Sequence, residues 1–340
     1  MVISILSVRD LRIQFESSKG TVKALNGIDL EINEGETFGI VGESGCGKSV
    51  TTLAILGLLP QNARIVSGEI IFQGKNLLKL DQKEYSKIRG TRIGMVFQDP
   101  SAALDPLYRI GDQISEPLRY HTRNESDKND EKKLSKNAIR NRVVELLDLV
   151  KIPDAEKVAS YYPHQLSGGM KQRVMIAISL ALNPAMLILD EPTTALDVTI
   201  QDEILSLLKE IRRVLNTTIL LITHDFGVVA QMCQRLAVMY AGKIAEVSTT
   251  QEILTNPLHP YTKALLRSVP TLRTEISQLV AISGTVPSLT EIPKGCNFYN
   301  RCMNAMPVCS EIDPLPTMQG SGNTVRCHLY GSNSVKDRLS

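Results

Sequence analysis

Gly42-Glu43-Ser44-Gly45-Cys46-Gly47-Lys48-Ser49 is the stretch on which the fold turns. It fits G-x-x-x-x-G-K-[ST], a loop whose glycines let backbone N–H groups curl round phosphate oxygens. So short a pattern gains its weight from its neighbours. Thr37 to Val41 before it reads as a buried strand, and the residues after it read as a helix through about Leu58. A helix N-terminus at the loop adds the positive end of a dipole. In this frame Lys48 reaches the β- and γ-phosphates, Ser49 ligates Mg²⁺ and Val50 closes the ATP-binding segment. The side chain of Cys46 fills the loop by packing.

Working outward, Ile3 to Val8, Leu11 to Phe15 and Ile28 to Ile32 carry the apolar alternation of short strands. Ile93 to Phe97 is a further strand, ending at Gln98. Residues from about 100 to 182 read mostly as helix, with Val143, Val144, Leu146, Leu147 and Val150 at helical spacing. The polar stretch His121 to Lys136 reads as a solvated loop or frayed helix. Strand signals return at Met186 to Leu189, Thr218 to Ile222 and Leu236 to Met239, with a helix between the first two. Such alternation implies an α/β fold with a mainly parallel sheet covered on both faces. Near residue 250 the pattern gives way to two short helices, Thr250 to Leu254 and Tyr261 to Ser268, and then a Pro-, Gly- and Cys-rich tail.

Met186-Leu187-Ile188-Leu189-Asp190-Glu191 is an apolar strand ending in two acids. A core strand delivers Asp190 to its carboxyl end, where Mg²⁺ sits, and places Glu191 to polarise an attacking water. A polar turn after a strand is the plainer explanation, but it loses force beside a phosphate loop.

Composition narrows the class. The chain has 340 residues, 43% hydrophobic and 22% charged, which suits one large domain and a smaller one. Its 38 basic and 36 acidic residues leave a formal charge of +2, so nucleic acid is not an expected partner. No run reaches the ~18 apolar residues of a membrane span, and MVISILSVRD lacks the basic start of a secretory signal. The protein is expected in the cytosol, with any membrane role supplied by a partner.

The decisive second motif is Leu166-Ser167-Gly168-Gly169-Met170, followed by Lys171-Gln172-Arg173. Adjacent glycines opening a helix admit close approach by an anion, and a soluble kinase has no use for a second phosphate cradle. Here the sequence resembles the ABC ATPase family, whose signature is usually LSGGQ; Met170 is the departure. The resemblance covers roughly residues 1 to 250. It implies a P-loop NTPase cassette with a RecA-like core, an N-terminal antiparallel β subdomain and a helical subdomain at about 100–182. It makes Phe15 the ring that stacks on adenine, although Phe15 also reads as a strand core residue. It makes Gln98 the Q-loop glutamine that contacts Mg²⁺ or water, Ala195-Leu196-Asp197 the D-loop, and His224 the switch histidine at the γ-phosphate. The family implies a head-to-tail pair of cassettes, each ATP lying between the phosphate loop of one and the signature of the other.

Asp99-Pro100-Ser101-Ala102-Ala103-Leu104-Asp105-Pro106, Tyr162-Pro163-His164-Gln165 and Asn256-Pro257-Leu258-His259-Pro260-Tyr261-Thr262 resemble the peptide and nickel importer branch. The tail agrees, with Pro293-Lys294-Gly295-Cys296-Asn297-Phe298, Arg301-Cys302, Cys309 and Val325-Arg326-Cys327. It departs at Asn300, where the branch has Pro, and at Ile282-Ser283-Gly284, where it has Ile-Pro-Gly. The resemblance implies an ATP-hydrolysing subunit on the cytoplasmic face of the membrane. Its expected partners are two permease subunits, a second ATPase chain (a heterodimer in preference to a homodimer) and, indirectly, an extracytoplasmic peptide-binding protein. Residues 251–340 are expected to form a small irregular Cys-rich domain beside the 1–250 ATPase domain. Cys296, Cys302, Cys309 and Cys327 are spaced x5, x6 and x17, which does not match paired zinc knuckles. Four soft thiolates on irregular loops suit an iron–sulfur cluster, and the resemblance implies [4Fe–4S]. Zinc, or cysteines with no metal, are the alternatives.

Three functional classes stay in view. An importer of di- or oligopeptides leads, with nickel or glutathione import as close alternatives. A soluble ABC protein of translation or DNA repair usually fuses two cassettes or carries coiled-coil insertions, and this chain shows one cassette and no heptads. An exporter ATPase does not fit the importer-type tail.

Overall fold

The computed structural model describes residues 3–18, 20–124, 135–194, 196–268, 282–320 and 322–331. The polar stretch at 121–136 falls mostly outside them, as does Ala195. The chain divides into two compact units: residues 1–33, 37–79 and 222–340 form the first, and residues 34–36 and 80–221 the second.

The first unit opens with β1 (Ser4–Ser17) and β2 (Gly20–Asn33), two long strands joined by a tight turn. Two expected strands are thus one: the break at Arg9-Asp10 is a bulge, with Asp10 at φ 40° and the register shifting between Val8 and Leu11. After β3 (Thr37–Val41), every residue of which is buried, comes α1 (Lys48–Ile55). β4 (Ala63–Phe72) and β5 (Lys75–Asn76) complete an antiparallel sheet ordered β2-β1-β4-β5.

The second unit begins with α2 (Gln82–Ile88), started by a capping box in which Asp81 and Glu84 satisfy each other's backbone N–H. β6 (Ile93–Val96) follows, then α3 (Pro100–Ala103), α4 (Ile110–Asn124), α5 (Lys136–Leu149), α6 (Ala155–Val158) and α7 (Gly168–Leu180). α5 buries Ile139, Val143, Leu146 and Leu147, one stripe at helical spacing, and Ser135 caps it through the Ala138 N–H. β7 (Met186–Asp190) lies parallel to β6 in the register Ile93–Met186 to Val96–Leu189. α8 (Val198–Leu215) ends at Asn216 in a left-handed conformation and leads to β8 (Thr218–Thr223), whose last two residues belong to the first unit.

The first unit resumes with α9 (Phe226–Met232), β9 (Arg235–Tyr240) and β10 (Lys243–Thr249). β9 runs parallel to β3 and antiparallel to β10. α10 (Thr250–Thr255), α11 (Pro260–Arg267), α12 (Val308–Glu311), β11 (Thr317–Gln319) and β12 (Asn323–Val325) finish the chain's elements. The expectation of a separate irregular Cys-rich domain is not supported. β12 pairs with β10 through Glu246–Val325 and Val247–Thr324, and β11 pairs with β12, so the tail continues the sheet that contains β3. Further bonds tie it down. Lys23 N–H donates to Leu289 O at 2.8 Å, and Asn297 Nδ2 to Ala241 O at 2.8 Å. Lys243 Nζ lies 2.7 Å from Asp313, which also pairs with Arg326. Among the described residues no helix is long and apolar enough to cross a membrane.

Candidate functional site

In the first unit the phosphate loop is set by β3 and α1. Gly47 caps α1 at φ 112°, and a Cβ there would stand 2.6 Å from Met239 Cε and 2.7 Å from Leu25 Cδ2. At Gly42 a Cβ would stand 2.1 Å from Met239 O, so no side chain fits either position. Lys48 is buried, and its Nζ donates to Gly42 O at 2.7 Å and Glu43 O at 3.1 Å. The ammonium is therefore held over the loop's own backbone, where a phosphate oxygen would find it. Cys46 is buried with its thiol pushed up by burial, in keeping with packing. Phe15 is half-buried on β1, opposite Val22 and Ala63, so it is not a core residue. His224 is exposed after β8, and Asp225 beside it caps α9 by accepting from Gly227 N–H at 2.7 Å.

In the second unit the parallel pairing of β6 and β7 brings together two residues 93 apart in sequence. Gln98 Nε2 donates to Glu191 Oε2 at 2.9 Å, and Thr194 Oγ1 donates to the same oxygen at 3.0 Å. Glu191 stands at φ 48°, a region costly for a side-chain-bearing residue and favoured mainly where function demands it. Asp190 ends β7 and is half-buried.

The signature begins α7. Ser167 Oγ accepts from Met170 N–H at 3.3 Å, and the two glycines occupy the first helical positions. A Cβ on Gly169 would stand 2.7 Å from Ile200 Cγ2, so the signature packs against the start of α8. Asp197 caps α8 by accepting from Ile200 N–H at 3.0 Å.

The four tail cysteines are neighbours but not a ligand set. Cys296, Cys302, Cys309 and Cys327 lie within electrostatic reach of one another, and burial pushes Cys296 and Cys327 up to about 11 and raises Cys302. Yet among the described residues no group of three or more His, Cys, Asp or Glu is gathered to hold a metal ion. The [4Fe–4S] expectation is thus not supported by the placement of the thiols, and no chemistry is routed through it.

Sequence reasoning missed Arg301, Tyr261 and Tyr240 as neighbours of the phosphate loop. Arg301 binds the Glu43 carboxylate through both terminal nitrogens, at 2.8 and 3.1 Å. Only the quoted run Arg301-Cys302 hinted that this arginine mattered.

The profile of the ABC transporter family matches residues 25–194, and that of the oligopeptide/dipeptide transporter C-terminal region matches residues 245–309. The dipeptide transport ATP-binding protein DppD of Bacillus subtilis is 50% identical over 337 residues, 99% of this chain and 98% of that protein. The oligopeptide transport ATP-binding protein OppD of Escherichia coli is 45% identical over 312 residues, 92% of this chain and 89% of that protein. Among solved structures, the dimeric post-hydrolysis state of the ATP-binding cassette MJ0796 with ADP and Pi aligns at a TM-score of 0.63. It has 29% identity and covers 72% of this chain and 98% of that one. The cbiO1 protein of Clostridium perfringens aligns at 0.62 with 33% identity, covering 75% and 92%. With relatives matched almost end to end, the chain belongs to the ABC transporter ATP-binding family, with the C-terminal region of its oligopeptide/dipeptide transporters.

Proposed function

We infer that the chain is the ATP-binding and ATP-hydrolysing subunit that energises import of di- or oligopeptides. The observation that carries this is the Gln98–Glu191 contact at the ends of β6 and β7, which puts a sensing amide on an acid fit to polarise water. Lys48 and the loop Gly42 to Val50 take the phosphates, and Phe15 takes the adenine. Ser49, Gln98 and Asp190 hold Mg²⁺, and His224 reaches the γ-phosphate. Leu166 to Met170 and Asp197 serve the ATP bound by a second ATPase chain.

Relatives named for dipeptide and oligopeptide transport favour peptides over nickel or glutathione. Exposed Phe97, Leu107 and Tyr108, flanking Gln98 and α3, suit docking of permease subunits at the cytoplasmic face of the membrane. The division at about residue 250 into ATPase and extension is kept as a functional one.

Purified chain should hydrolyse ATP, and Lys48→Ala should lose both ATP binding and turnover while keeping its thermal transition. Near-normal turnover in that variant would sink the phosphate-loop assignment.

A [4Fe–4S] cluster on Cys296, Cys302, Cys309 and Cys327 is the finer proposal for the tail. Its support is the mutual proximity of the thiols and the backbone N–H groups of Phe298, Asn304 and Leu329 directed at three of the sulfurs. Chain purified without oxygen should carry about four iron and four sulfide, as that cluster requires. One bound zinc, or no metal at all, rejects it.

A further inference from the structure

Glu43, the second residue of the phosphate loop, is gripped by the C-terminal extension at two points. Its backbone N–H donates to the Tyr261 hydroxyl of α11 at 3.1 Å. Its carboxylate takes Nη1 and Nη2 of Arg301 at 2.8 and 3.1 Å, a two-pronged ion pair with Arg301 almost fully buried and Glu43 largely so. Its carbonyl in turn accepts from Lys48 Nζ at 3.1 Å. One residue thus joins the extension to the ammonium that meets phosphate.

Arg301 is fully committed to this place. Nη1 also donates to the Tyr240 hydroxyl at 3.2 Å, Nη2 to Ile282 O at 3.4 Å, and Nε to Ser283 O at 3.1 Å. Those five bonds match the five N–H donors of a guanidinium. The cation also lies 5.7 Å from the Tyr240 ring centre and 6.0 Å from that of Phe298. Tyr240, Tyr261 and Phe298 pack on one another with ring centres 4.5 to 5.4 Å apart. Tyr261 has no exposed surface. The anchor is rigid, and lysine, with three donors on a point charge, cannot reproduce it.

We propose that Arg301 is a positioning residue for nucleotide binding: through Glu43, and with Tyr261, the extension fixes the phosphate loop in the conformation that receives ATP. The proposal rests on the ATPase reading and adds to it that the extension sets the ATP affinity of its own chain. A loop released at Glu43 samples other conformations, and apparent affinity falls by the fraction of time it spends in the competent one. Chemistry at Glu191 is untouched, so the loss falls on binding and KM rather than on kcat.

The test uses the full chain, with ATP affinity measured by equilibrium titration alongside steady-state turnover and thermal unfolding. Arg301→Ala should weaken ATP binding and raise KM about tenfold, the scale of one charge-assisted hydrogen-bonded pair, with kcat at saturating ATP nearly unchanged. Arg301→Lys should recover part of the loss. Glu43→Gln should reproduce it, and Glu43→Gln combined with Arg301→Ala should be no worse than either alone, because both remove one contact. Arg301→Ala that melts earlier yet binds ATP as tightly as wild type would overturn the proposal and leave a mere staple. Additive losses in the double variant would also overturn it. If the wild-type chain itself binds no ATP, the ATPase reading fails and the proposal with it.

Discussion

At Glu191 two demands meet in one side chain. Its backbone is held at φ 48° at the end of a core strand, and its carboxylate accepts from both Gln98 and Thr194. A glutamine there keeps the shape and removes the basic oxygen. Glu191→Gln should therefore keep ATP affinity while turnover falls ~10²–10⁴-fold, the usual worth of a positioned general base. Stopped turnover with bound, unhydrolysed ATP in a quench assay checks this, and unchanged turnover rejects it. The identity of Glu191 was legible because two acids closed an apolar strand. Its partner Gln98 was legible only as a motif member, since the contact depends on β6 and β7 lying in parallel register. Arg301 was not legible as a loop contact at all. Its 258-residue separation from Glu43 leaves no local trace.

Among the elements, those with clean burial patterns were read nearly residue for residue: β3, β7 and the stripe of α5. Those missed had other reasons to exist. β4 is mostly exposed and carries Gly68 in its middle, so it shows no alternation. β10 contains Lys243 and Glu246, both buried, which made it read as polar. Glu246 is there for α11: its carboxylate accepts the N–H groups of Leu258 and His259 at 2.7 and 2.9 Å, just ahead of the helix. His259 then caps α11, its Nδ1 accepting from Tyr261 N–H at 3.0 Å. Burial holds the His259 imidazole down to about 4 from its ordinary 6.5. The folded chain refuses a proton that the unfolded chain takes up between those values. Stability from this group is thus complete above pH 6.5 and is lost as pH falls towards 4. Between pH 6.5 and 5 the loss is about 2 kcal/mol, roughly thirtyfold in hydrogen-exchange protection of the α11 amides. His259→Asn, which keeps an acceptor at the cap and does not titrate, should flatten that dependence. Equal pH dependence in both chains would reject it.

For the molecule as a whole, the order of nucleotide motifs was legible because each is a local device, a loop or a strand end that needs particular residues wherever it occurs. The attachment of the tail was hidden because it rests on pairing between short, distant segments. Asn323 to Val325 become a strand only against β10. The sequence reading makes the extension separable, since its own segment is poor in large apolar residues. The structure implies the reverse. Ending the chain after Thr250 would strip β10 of its β12 partner, leave Lys243 buried without Asp313, and remove Tyr261, Phe298 and Arg301 from Tyr240 and Glu43. A buried cation deprived of its partner costs several kcal/mol by itself, and the lost aromatic contacts add to that. A 1–250 chain should therefore be expressed as aggregate, or melt well below the full chain with weakened ATP binding. Thermal unfolding and ATP titration of the two chains side by side decide it. A truncated chain with the full chain's transition and affinity would show that the core folds and binds without its tail.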